Sequence, residues 1–74
     1  MGKLRVLSGS EVCRILEEHG FVAARQKGSH RIMQLKVADT TVTVPVPLHD
    51  PVRRGTLQSI IRQSGLPKSL FEHE

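Results

Sequence analysis

The sequence predicts an α+β fold: one domain with element order α-β-β-β-α, a three-stranded antiparallel sheet, and both helices on one sheet face. Three observations carry this. Apolar residues recur at helical spacing near each end of the chain, in Val12-Ile15-Leu16 and Leu57-Ile60-Ile61. Between them, residues alternate apolar and polar over three short runs separated by two-residue turn signals. Each helix then has one stripe to bury and the sheet one apolar face, so both helices pack on that face and leave the other open. The whole chain, residues 1–74, forms this domain, with its core over about residues 7–66.

Taken in order, Ser8-Gly9-Ser10-Glu11 is a capping box, with Ser8 as N-cap and Glu11 at the third helical position. Leu7 and Val12 supply the matching hydrophobic staple. The first helix is expected over Gly9–His19, and Gly20 ends it in a left-handed conformation. The first strand is expected over Phe21–Lys27 and the second over His30–Val37, joined by Gly28-Ser29. Gly at the first central position suits a type II′ turn, which pairs Lys27 with His30 and Arg25 with Ile32. Ala38-Asp39 is the second turn, and the third strand is expected over Thr40–Pro45. Continued without interruption, these registers oppose Val22 to Leu35, Ala24 to Met33, Leu35 to Val42 and Met33 to Val44. The core face would then be Val22, Ala24, Met33, Leu35, Val42 and Val44, and the open face would carry Arg25, Lys27, His30, Gln34, Lys36, Thr41 and Thr43. Pro47 and Pro51 mark Val46–Pro51, with His49 and Asp50, as a loop. The second helix is expected to open at Gly55-Thr56 with Thr56 as N-cap, and to end at Gly65 before Pro67. A short last turn follows at Lys68–Phe71.

Composition narrows the function classes. Eleven basic residues face seven acidic ones, for a formal charge of +4, which favours nucleic acid or an acidic protein as partner. With no Trp or Tyr and only two Phe, base stacking on aromatic platforms is disfavoured. No stretch is apolar enough to span a membrane, the first residues lack a signal-peptide core, and the single Cys13 forms no internal disulfide. A cytoplasmic protein without a membrane partner is expected, with Cys13 as a small core residue. Four scattered histidines and one cysteine lack metal-ligand spacing, so neither a metal nor another cofactor is expected.

The functional signal lies in Arg25-Gln26-Lys27-Gly28-Ser29-His30-Arg31. The hairpin fixes one imidazole at a rigid tip beside cations, which suits acid–base chemistry on a phosphodiester. RNA carries its own nucleophile, the 2′-hydroxyl, so cleavage needs a base, an acid for the leaving oxygen and donors for the charged phosphorus centre. His30 fits the base. Lys27 and Arg25 share its face and can hold phosphate, Ser29 offers a donor, and Arg31 alternates to the other face near the tip. Arg53 and Arg54 precede the second helix, whose N-terminus also attracts anions. His49 is a candidate second acid/base, whereas His19 suits a helix C-terminus and His73 lies in the tail.

An ordered set of motifs runs through Leu7-Ser8-Gly9, Glu18-His19-Gly20-Phe21, Arg25-Gln26-Lys27-Gly28-Ser29-His30, Thr41-Val42-Thr43-Val44-Pro45, Gly55-Thr56-Leu57 with Ile60-Ile61, and Gly65-Leu66. As a set they resemble the HicA (YcfA-like) family of toxins. The resemblance covers about Leu7 to Leu66. It implies a fold like that of double-stranded-RNA-binding domains, whose element order is the one read above. It also implies a metal-independent mRNA endoribonuclease (mRNA interferase) with the hairpin histidine, His30, as catalytic residue, and a HicB-like antitoxin partner. A basic active face calls for an acidic antitoxin. The alternative is a non-catalytic module for double-stranded RNA. That reading expects more positive charge at the second helix than Arg53-Arg54 supplies and gives no reason for the tip histidine.

Overall fold

The computed structural model describes residues 2–73 and has the expected order: α1 (Gly9–Glu18), β1 (Val22–Lys27), β2 (His30–Val37), β3 (Thr40–Pro47), α2 (Arg54–Ser64) and a closing 3₁₀ turn at Lys68–Phe71. The three strands form one antiparallel sheet in the order β1-β2-β3. The stripes of both helices (Val12, Cys13, Ile15 and Leu16 with Leu57, Ile60 and Ile61) join Met33, Val44 and Val46 in a single core.

α1 forms as its caps dictate. Glu11 N–H donates to the Ser8 hydroxyl at 3.1 Å, and Ser8 N–H donates to the Glu11 carboxylate at 2.8 Å. That second bond, then the Ser8 hydroxyl, holds the Glu11 carboxyl below the ordinary glutamate range. Leu7 and Val12, the staple pair, are both buried in the core. The helix stops one residue earlier than expected, with His19 as C-cap and Gly20 at φ 96°. Phe21 N–H reaches back to the Leu16 carbonyl and Gly20 N–H to that of Glu17, so both orphan carbonyls are satisfied.

The first hairpin pairs Lys27 with His30 and Arg25 with Ile32, and Gly28 has φ 61° as a type II′ turn requires. Beyond Arg25 the expectation fails. A bulge at Ala24 shifts the register, so Ala23 opposes Met33 and Val22 opposes Gln34. One extra residue on one strand reverses which side chains face inward. Val22 is therefore 63% exposed and Ala24 is exposed, and neither joins the core. β1 also starts at Val22 rather than Phe21, whose ring is buried in the core.

The second hairpin has the expected register, Met33 with Val44 and Leu35 with Val42. Yet β3 runs two residues past Pro45, adding the Arg31–Val46 and His30–Pro47 pairs. Proline does not end it because β3 is an edge strand, where a missing N–H that faces away from the sheet costs no ladder bond. Pro45 and Pro47 lie two apart and share that side, while Val44 and Val46 between and before them are fully buried. The expected Thr56 cap of α2 is also corrected: Arg53 is the N-cap, without a side-chain cap bond, and Thr56 lies inside the first turn. Leu57 N–H bonds the Arg53 carbonyl at 2.8 Å, which places the start before Gly55. Gly65 closes α2 at φ 73°, as expected.

The core also extends beyond Leu66. Phe71 is completely buried, and the segment around Leu4 pairs with Glu72, bringing the two ends of the domain together.

Candidate functional site: a two-histidine cleft

The site grows from the junction of the first hairpin turn, the end of β3 and the start of α1. Leu48 N–H donates to the Ser29 carbonyl at 2.7 Å, tying the residue before His49 to the residue before His30. Gly9 N–H, at the first turn of α1, donates to the His49 carbonyl at 2.8 Å. Glycine is required there: a Cβ on Gly9 would strike the Pro47 carbonyl oxygen and lie 2.7 Å from Leu48 Cα. Val52 N–H then donates to the Leu7 carbonyl, fixing the far end of the loop. Main-chain bonds on both sides thus hold His49 in place.

The result is a cleft of about 440 Å³ between the end of the hairpin and α2, and both His30 and His49 line it. Pro45 and Pro47 of β3 form part of its wall. From α2 come Thr56, Ser59, Ile60 and Gln63, one continuous helical face beside the buried stripe. Arg53, the N-cap of α2, lines it as well. The first turn of α2 contains no acidic residue, so the positive end of its dipole and the Arg53 guanidinium act together on any anion in the cleft. Both histidines are exposed.

The remaining candidates divide. By register Lys27 and Arg25 share the sheet face of His30 on the adjacent strand, but neither lines the cleft. Ser29 contributes its carbonyl to the Leu48 bond. Arg31 belongs to the helix side, where its guanidinium lies near Cys13. Burial pushes the Cys13 thiol up, against a smaller opposing pull from Arg31. Arg54 lines a different hollow of about 280 Å³, with Arg5, Val6 and Val52, and Arg53 borders both. His19 caps α1, its Nδ1 2.9 Å from the Ile15 carbonyl, and His73 pairs through its main chain with Lys3. Thr56, Ser59 and Gln63 escaped the reading of the sequence. Their spacing, on the helix face next to Leu57-Ile60-Ile61, was the available signal.

Among the described residues no three or more His, Cys, Asp or Glu side chains gather as a metal site, and no helix is long and apolar enough to cross a membrane.

Fold and site together define a small basic α+β domain that presents imidazoles and a guanidinium in one anion-attracting cleft. The family model of the HicA toxin of bacterial toxin–antitoxin systems matches residues 9–66, and the chain belongs to that family. No curated protein matches it. Membership makes the chain the toxin of a toxin–antitoxin pair.

Proposed function

We propose that this toxin is a metal-independent endoribonuclease that cleaves mRNA in the cytoplasm, with His30 taking the proton from the 2′-hydroxyl. The observation that carries the reading is His30 on a short, fixed hairpin, lining a cleft that is also lined by Arg53, the N-cap of α2. A phosphodiester seated there would meet both a base and an anion site, which 2′-oxygen attack requires. Lys27 and Arg25, on the same sheet face, extend the positive surface for flanking phosphates. Arg54, Ser29 and Arg31 would contribute through charge or tip geometry rather than by lining the cleft.

The antitoxin in this reading is a HicB-like acidic protein that covers the open face carrying Lys27, Arg25 and His30 together with the start of α2. Covering that surface blocks substrate and base at once.

The test is cleavage of a single-stranded RNA in EDTA by the wild-type chain and by His30→Ala. Wild type should yield a 2′,3′-cyclic phosphate (or its hydrolysed form) and a 5′-hydroxyl, and should fail on RNA with a 2′-deoxy sugar at the cut site. Normal cleavage of the 2′-deoxy strand would rule out the 2′-oxygen mechanism. If the chain binds duplex RNA and cuts nothing, it is a binding module instead.

A further inference from the structure

We propose that His49 is the general acid of the reaction, protonating the leaving 5′-oxygen while His30 deprotonates the 2′-hydroxyl. The assignment rests on the ribonuclease reading and adds a second catalytic residue to it.

Several observations bring His49 to this role. The β3–α2 loop that carries it lies 19 positions along the chain from His30, yet both side chains line one cleft. The main chain enforces this on both sides: Leu48 N–H to the Ser29 carbonyl at 2.7 Å, and Gly9 N–H to the His49 carbonyl at 2.8 Å. The clamp ties the loop to the hairpin tip that carries His30, and Gly9 leaves room for the main chain of Pro47 and Leu48 beside it. The cleft contains no Asp, Glu, Lys, Cys or Tyr. His30 and His49 are the two imidazoles of its lining, and the Arg53 guanidinium keeps its protons, so His49 is the residue left to act as proton donor.

The step balances without any further reagent. The 2′-oxygen gives its proton to His30 and forms a bond to phosphorus. The bond from phosphorus to the 5′-oxygen breaks, and that oxygen takes a proton from the His49 imidazolium. The products are a 2′,3′-cyclic phosphate and a 5′-hydroxyl. His30 is left protonated and His49 neutral, and exchange with water restores both.

Replacing the leaving 5′-oxygen with sulfur separates the two roles, because a thiolate departs without being protonated. The experiment compares wild type, His49→Ala, His49→Gln and His30→Ala on ordinary RNA and on RNA with a bridging 5′-sulfur at the cut site. Binding to an uncleavable 2′-deoxy strand is measured alongside. Both His49 variants should lose about a hundred-fold or more on ordinary RNA. On the sulfur substrate they should recover to within about ten-fold of wild type, with strand binding little changed. His30→Ala should stay inactive on both. Wild-type rates for the His49 variants on ordinary RNA overturn the assignment, and so does an equal loss on both substrates, which marks a structural role. Full activity of His30→Ala, or no cleavage by wild type, overturns the ribonuclease reading itself and the His49 assignment with it.

Discussion

His30 opens β2, exposed, with its backbone fixed by the hairpin pair to Lys27 and by the β3 pair to Pro47. An exposed side chain can be removed cheaply, so His30→Ala should change stability by less than about 1 kcal/mol. It should nonetheless abolish both RNA cleavage and growth inhibition, as a melting curve and a plate assay run together will check. Cys13 is the opposite case, a fully buried thiol whose tendency to ionise is suppressed by that burial. It should resist alkylation in the native chain at neutral pH and react once the chain is unfolded in denaturant. Rapid native labelling would show that α1 opens readily. The position of His30 was legible in the sequence because a two-residue turn fixes the pairs beside it. Arg31 was hard to place, since strand alternation sends it to the Cys13 side while the tip leaves its reach open. Thr56, Ser59 and Gln63 were missed because polar residues on a helix flank look like any solvated face until the neighbouring strand is known.

Each element shows where local signals suffice and where packing overrides them. The Ser8–Glu11 box was readable because capping is local chemistry. Its removal by Ser8→Ala should cost about 1 kcal/mol. Because bonding to Ser8 lowers the folded-state pKa of Glu11, its contribution is present above the unfolded-state value and is lost as pH falls through the folded value. The stability gap between wild type and Glu11→Gln should therefore narrow in acid, as denaturant titrations across that range will show. A gap that widens in acid contradicts the assignment. The bulge at Ala24 was invisible because Ala, Val and Arg fit either register, and only packing selects one. The true start of α2 was hidden by Thr56, a good N-cap residue that lies one turn too late. Gly9 joins this scale to the site. Gly9→Ala forces a methyl group against Pro47 and Leu48 and should cost about 1–3 kcal/mol, as overpacking does. It should also reduce cleavage by more than its stability loss explains, because it shifts the loop that carries His49.

Over the whole molecule, a net charge of +4 and an open sheet face bearing Arg25, Lys27 and Lys36 favour fast capture of polyanions and of an acidic antitoxin. Charge reversal at Arg25 and Lys27 should slow antitoxin association more than it speeds dissociation, and added salt should slow the wild-type rate in the same way. Surface-binding kinetics at two ionic strengths will read both. A complex that leaves His30 open to RNA would require another means of neutralisation. The overall architecture was legible in the sequence because hydrophobic periodicity reports it. The two-histidine cleft was not, because it depends on β3 running through Pro45 to Pro47 and on a loop that only main-chain bonds across the fold hold in place. The central claim is His30-dependent cleavage, and the most direct measurement is end-group analysis of a single-stranded RNA incubated in EDTA with wild type and with His30→Ala. Wild type should leave 2′,3′-cyclic phosphate and 5′-hydroxyl ends and His30→Ala intact RNA; cleavage by His30→Ala at the wild-type rate, or none by wild type, would contradict the account.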